Sequence, residues 1–232
     1  MDKIKKILFD KGASLVGFAD LRDLPEKVRF NLNYGISIGI RLNPKIIEGI
    51  QEGPNKQYQE EYLRVNQLLD QIAFTTKEFL KNKSYQAIAL AATVKVISNY
   101  NLSTLLPHKT VATKAGLGWI GKCALLITKE FGSAIRLTTV LTNMVLNEDK
   151  PVEYSFCGKC QSCQKVCPAN AIVGKNWKKG IKRDQIYDAF SCQKAIKEMV
   201  EKIRIKELIC GRCIIACPWT KKYIAKSKKI SY

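Results

Sequence analysis

The sequence predicts an α+β protein, with a mixed α/β domain over residues 1–150 followed by a small cysteine-rich domain over residues 151–232. Three observations point there. Apolar residues between Gln57 and Asn82 recur at three- and four-residue steps, the period of a helix with one buried face, and short apolar runs of strand length stand on either side of it. Eight of the nine cysteines fall between Cys157 and Cys217. Between the two regions, Asn147-Glu-Asp-Lys-Pro151 is a polar loop of the kind that ends a domain.

The elements follow in order. Asp2 to Lys11 places Ile4, Ile7 and Leu8 on one helical face and stops at Gly12, a normal C-terminal signal. Leu15 to Phe18 and Ile36 to Ile40 are short buried strands, with Asp23-Leu-Pro-Glu26 between them turning into a short helix. Asn43-Pro44 opens another helix, since asparagine caps and proline is preorganised for the first helical position. In the long helix Tyr62, Val65, Leu68, Leu69, Ile72, Phe74, Phe79 and Leu80 form the apolar set. Tyr85 to Leu90 is the next strand, Pro107 to Ala115 is helical, and Ala124 to Thr128 and Ile135 to Leu146 are strands joined through Glu130-Phe-Gly-Ser133. The basic stretch Lys221 to Lys229 is expected to be poorly ordered.

The cysteines carry the chemistry. Cys157 to Pro168 reads C-x-x-C-x-x-C-x-x-x-C-P, the spacing with which bacterial ferredoxins hold three corners of one cubane and one corner of another. Cys192 and then Cys210, Cys213 and Cys217, with Pro218, supply a second, looser half. Crossed pairing gives Cys157, Cys160, Cys163 and Cys217 to one [4Fe-4S] cluster, and Cys167, Cys192, Cys210 and Cys213 to the other. Seventeen residues between Cys192 and Cys210 make that half irregular. Paired C-x-x-C units also build zinc sites, but four cysteines in eleven residues, followed by a second C-x-x-x-C-P ending, fit zinc poorly. Cys123, the ninth, is expected to be a small buried hydrophobe.

Charge and hydropathy narrow the setting. Nine cysteines, an odd number, argue for ligation in a reducing compartment over disulfides. An opening with a three-residue apolar run is too short for a signal peptide, and no apolar stretch approaches a membrane span, so a cytoplasmic protein is expected. The formal charge is +19, and the last 76 residues hold 18 basic and 5 acidic side chains, a surplus of 13. Two clusters with their thiolates would offset about 4 of these charges. The rest faces solvent or an acidic partner, either an electron-donor protein or nucleic acid.

Gly116-Leu-Gly118-Trp-Ile-Gly121 fits G-x-G-x-x-G, but a helical segment precedes it, a strand follows, and no Asp or Glu occurs from Phe131 to Asn147. The dinucleotide fingerprint needs the opposite order and an acidic residue downstream, which excludes NAD binding here. The glycines are instead expected to let backbone approach a bulky group.

The segment His108 to Lys122, with Leu125-Leu-Ile-Thr128, Arg136 to Thr142 and the double set of cysteines, resembles the epoxyqueuosine reductases and the corrinoid-dependent reductive dehalogenases. The resemblance implies a nitroreductase-like α/β domain holding a base-off cobalamin, beside a ferredoxin-like domain that feeds it electrons. It places His108, Lys109, Ala115, Gly116, Leu117, Gly118, Trp119, Gly121 and Lys122 around that cofactor. It also implies an electron donor of flavodoxin or ferredoxin type, and tRNA or a corrinoid protein as partner. The chain departs from the pattern where epoxyqueuosine reductases carry a catalytic aspartate, having Asn101-Leu-Ser103 there and no carboxylate between Glu78 and Glu130. His108, the only histidine, and Tyr100 are the remaining proton-donor candidates. The family also continues into helical repeats after the clusters, where this sequence reads to Tyr232.

Overall fold

A computed structural model describes residues 3–93 and 102–230. Tyr100 and Asn101 lie outside them. The chain divides into two compact units assembled from interleaved segments: residues 1–41, 64–118 and 136–152 form the first, and residues 42–63, 119–135 and 153–232 the second.

The first unit is built on an antiparallel hairpin. Strands β1 (Leu15–Asp20) and β2 (Tyr34–Arg41) pair from Leu15 opposite Gly39 to Asp20 opposite Tyr34. Strand β3 (Ala87–Leu90) pairs antiparallel with β6 (Ile135–Thr142), and the sheet order is β1-β2-β6-β3. Strand β2 is buried along nearly its whole length, as its unbroken Ile-Ser-Ile-Gly-Ile core requires of a strand covered on both faces. Helix α1 (Lys3–Asp10) packs on β1 through Ile4 and Leu8. Helix α4 (His108–Lys114) packs on β1 and β2 through Val111 and Ala112.

Helix α3 (Lys56–Lys81) buries Val65, Leu69, Ile72, Ala73, Thr76 and Leu80, a stripe at three- and four-residue steps. Phe74, expected in that stripe, is 56% exposed because it lies on the opposite face from Ile72 and Thr76. Burying the four aliphatic side chains fully stabilises the unit by about 2 kcal/mol each.

The second unit contains α2 (Pro44–Glu48), a hairpin of β4 (Trp119–Ile120) and β5 (Leu126–Ile127), and helices α5 (Ser162–Lys165), α6 (Ala189–Ile203), α7 (Arg212–Ala216) and α8 (Pro218–Ile230). Asn43 caps α2 as expected, its side-chain oxygen accepting from the Lys45 N–H at 3.0 Å. The strand anticipated from Ala124 shortens to two residues, since Ala124 takes a φ of 57° inside the turn that joins β4 to β5.

Two other expectations are corrected. Residues 23–29 form turns without a continuing helix. The basic C-terminal stretch is ordered as α8: Pro218 starts it, Thr220, Tyr223 and Ile224 bury one face, and the Tyr223 hydroxyl donates to the Leu42 carbonyl at 2.9 Å. That stripe outweighs the lysine density, because the lysines occupy the other face. Among the described residues no helix is long and apolar enough to cross a membrane.

Candidate metal centre

Four local structures bring the cysteines together in the second unit. A turn puts the Cys160 N–H on the Cys157 carbonyl at 3.0 Å, and Gly158 supplies its positive φ of 53°. Cys163 then falls in the first turn of α5, and Cys167 follows that helix. Asp188 caps α6 by accepting from the Phe190 and Ser191 N–H groups at 3.0 Å, which fixes Cys192 just inside the helix. Gly211, at φ 84°, opens α7; a Cβ there would lie 2.4 Å from Ile50, so glycine alone lets the Cys210–Cys213 turn sit against α2's end. Cys217 closes α7, and Pro218 begins the next helix at once.

The thiols sort into two groups. Burial pushes the Cys217 thiol up, and Cys157 and Cys163 add to that by facing it. Burial likewise raises Cys192 and Cys210, with Cys167 close to both and Cys192 close to Cys210. Tyr187 is raised mainly by burial and then by Cys192, Cys213 and Cys167 around its hydroxyl. Cys157 and Cys163 thus neighbour Cys217, Cys167 and Cys192 neighbour Cys210, and Cys213 joins Cys167 and Cys192 around Tyr187. Cys160 sits between two members of the first group on the same loop, its Sγ donating to the Ser162 hydroxyl at 3.5 Å.

Donors surround these sulfurs. The Ala171 N–H points at Cys167 Sγ from 3.4 Å, the Arg212 N–H at Cys210, and the Trp219 and Thr220 N–H groups at Cys217. Two further buried donors, Trp119 Nε1 and Arg212 Nε, have no partner among the described residues. Arg212 stands between Cys210 and Cys213 in the chain, and Trp119 packs edge-on against Phe156 at 5.1 Å and Trp219 at 5.3 Å, the neighbours of Cys157 and of Cys217 and Pro218. Buried polar groups are almost always satisfied, so these donors suit an anionic, acceptor-rich group among the cysteines. Among the described residues no three Cys, His, Asp or Glu side chains close around a point for a single ion.

The glycine segment crosses from one unit to the other. Residues 64–118 belong to the first unit, and residues 119–135 to the second. A Cβ on Gly116 would lie 2.7 Å from the Lys150 carbonyl, and one on Gly121 would lie 2.4 Å from Ile127. Within the protein, Gly116 thus approaches Lys150 and Gly121 approaches Ile127. Ala115 and Trp119 are almost fully buried, Leu117 is half-buried and packs in the first unit's core, and Lys114 pairs with Asp23. His108 has both ring nitrogens engaged: Nε2–H donates to the Ala91 carbonyl and Nδ1 accepts from the Thr139 hydroxyl, each at 2.9 Å. Burial lowers its pKa, the Ala91 contact opposing.

Two second-unit residues were less legible. Lys122 is 4% exposed and donates from Nζ to the Cys160 carbonyl at 2.9 Å, which ties the β4–β5 turn to the cysteine loop. The adjacent Cys123 is 3% exposed and within hydrogen-bonding reach of Cys163 and of Cys213, one thiol from each group. Cys163 lowers the Cys123 pKa, while the Cys213 contact and burial carry it well above the ordinary thiol value. It is a small buried side chain, as expected, but one seated among the other thiols. A cysteine 34 positions before the motif offers no spacing signal, and only the turn brings it there.

Residues 156–220 match the model of the 4Fe-4S double cluster binding domain. The chain is similar to epoxyqueuosine reductases. It is 33% identical over 132 residues to the epoxyqueuosine reductase of Lactococcus garvieae (strain Lg2), covering 55% of this chain and 37% of that one. The fold extends the likeness further. A reductive dehalogenase structure that suggests a mechanism for B12-dependent dehalogenation aligns over 94% of this chain and 31% of its own, with a TM-score of 0.68 and 18% identity. An epoxyqueuosine reductase bound to an epoxyqueuosine-modified tRNA-Tyr stem loop aligns over 94% and 64%, with a TM-score of 0.59 and 20% identity. The chain spans about a third of the length of the curated epoxyqueuosine reductases it matches.

Proposed function

We propose that the chain is an iron-sulfur reductase module that passes single electrons through two [4Fe-4S] clusters. Cys157, Cys160, Cys163 and Cys217 would hold one, and Cys167, Cys192, Cys210 and Cys213 the other. The observation that carries this is the grouping of the thiols in two sets under N–H donors. Bound clusters supply reversible one-electron storage. The protein's part is to hold the thiolates, to aim amide N–H groups and the Trp119 and Arg212 donors at the sulfurs, and to exclude water behind Trp119 and Ile215. Partial burial raises the thiol pKa of Cys192, Cys210 and Cys217, so these three ionise poorly alone and iron binding must release their protons.

The acceptor at the far end is assigned by likeness. Kinship with epoxyqueuosine reductases and the fold of a B12-dependent dehalogenase support cobalamin on a nitroreductase-like first unit, with reduction of a small or nucleotide-like substrate. Three features of the chain count against that cradle. Gly116 and Gly121 pack on their own chain, His108 has no free ring nitrogen for cobalt, and residues 79–129 contain no carboxylate to deliver a proton. These observations favour the second reading, an electron-transfer protein or reductive activator whose acceptor is a partner such as a corrinoid protein. A surplus of 13 positive charges in the last 76 residues suits an acidic donor of flavodoxin or ferredoxin type.

Anaerobic reconstitution with iron and sulfide tests the core claim. About eight irons per chain are expected, and Cys217→Ser or Cys213→Ser each removes about four. Mononuclear tetrahedral zinc at full occupancy would overturn it. Equilibrium dialysis against cobalamin separates the two acceptors: stoichiometric retention supports the enzyme, and no retention leaves the electron-transfer protein.

A further inference from the structure

Cys123 is the one cysteine that the two ligand sets do not use. It lies at the third position of a β-turn closed by the Ala124 N–H on the Gly121 carbonyl at 2.9 Å, and the hairpin of β4 and β5 holds that turn. A Cβ on Gly121 would lie 2.4 Å from Ile127 and 3.6 Å from Cys123 Sγ, so glycine keeps the turn tight. Lys122 beside it anchors the turn to the Cys160 carbonyl. The whole assembly lies within the second unit. The result is a buried S–H with two sulfur neighbours, Cys163 from one set and Cys213 from the other.

We propose that Cys123 is a positioning residue that donates its S–H to a cluster thiolate, at Cys163 or Cys213, and raises the reduction potential of the cluster it touches. Hydrogen bonds to cluster sulfurs stabilise the reduced, more negative core and so raise its potential. A thiol suits the place because it is small, apolar enough to be buried and still able to donate. An alanine would fill most of the same space and donate nothing. The inference rests on the two-cluster reading.

The experiment uses the reconstituted full chain, with Cys123→Ala and Cys123→Ser beside the parent protein. Iron is counted, each cluster's midpoint potential is titrated by EPR, and the reduced clusters are examined by ENDOR before and after exchange into D2O. The parent protein should show an exchangeable proton coupled to a reduced cluster. Cys123→Ala should keep about eight irons, lose that proton signal and become harder to reduce at one cluster by at least tenfold in the equilibrium constant, 59 mV for one electron. Cys123→Ser, which keeps a donor, should recover part of the shift. Unchanged potentials in Cys123→Ala, or no exchangeable proton in the parent protein, would overturn the proposal, and the second result needs no variant to fold. Loss of about four irons from Cys123→Ala would also overturn it by making Cys123 a ligand. Failure of the parent protein to take up about eight irons would instead defeat the two-cluster reading.

Discussion

His108 illustrates how much a single residue's surroundings decide. A lone imidazole in an otherwise carboxylate-free stretch invites a catalytic role, yet its two nitrogens are spoken for by Ala91 and Thr139. Burial holds its pKa below the ordinary 6.5, so the native ring stays neutral while the unfolded chain binds a proton as pH falls. The unfolded state therefore gains protons relative to the native state below that value. The contribution to stability is fully present above about pH 6.5 and is lost as pH drops beneath it. Denaturant midpoints measured at pH 7.5 and 5.5 should show a loss for the parent protein that shrinks in His108→Gln; equal losses would show that other groups govern the acid limb. The same scale explains what was visible beforehand. Eight cysteines announced themselves by spacing, whereas Cys123, Lys122 and Tyr187 join them only through turns and packing, which no fixed interval in the chain encodes.

At the level of elements, strong periodicity was legible and local exceptions were not. The long helix α3 and the capped start of α2 followed their patterns closely, because an apolar stripe and an Asn-Pro cap act within a few residues. Helix α8 was obscured by its lysines, although Thr220, Tyr223 and Ile224 mark a buried stripe. Its seat is demanding. Gly132, at φ 58°, brings the turn before β6 so near the start of α8 that a Cβ would lie 2.3 Å from the Thr220 N atom, where the Thr220 hydroxyl also accepts from the Ser133 N–H at 3.1 Å. Gly132→Ala should therefore lower stability by roughly 2 kcal/mol or more, read as a drop in the thermal midpoint. Tyr223→Phe removes the donor to the Leu42 carbonyl and should cost about 1–3 kcal/mol, because that acceptor stays buried. A neutral result at Gly132 would mean that the turn and helix shift apart without penalty.

The charge of the whole molecule predicts behaviour that neither unit reveals alone. With +19 overall, the protein should bind polyanions through counterion release. If tRNA is a partner, its affinity should fall steeply, by a factor of a thousand or more for several phosphate contacts, between ~50 mM and ~200 mM salt. A weak affinity that ignores salt would remove RNA from consideration. The mixed α/β character and the cysteine-rich region were legible because composition and motif differ along the chain. The interleaving of residues 42–63 and 119–135 into the cysteine-bearing unit was not, since membership in a unit is decided by long-range packing.

The crossed grouping of thiols has a further implication for how the protein is made. Cys157 and Cys163 neighbour Cys217, and Cys167 neighbours Cys192 and Cys210, so each set joins positions that leave the ribosome far apart in time. In the two-cluster reading neither cubane can acquire its fourth corner until the chain has been synthesised as far as α7. Maturation then waits on the synthesis of Cys213 and Cys217, and a nascent chain halted before Cys210 would hold at most loosely bound iron.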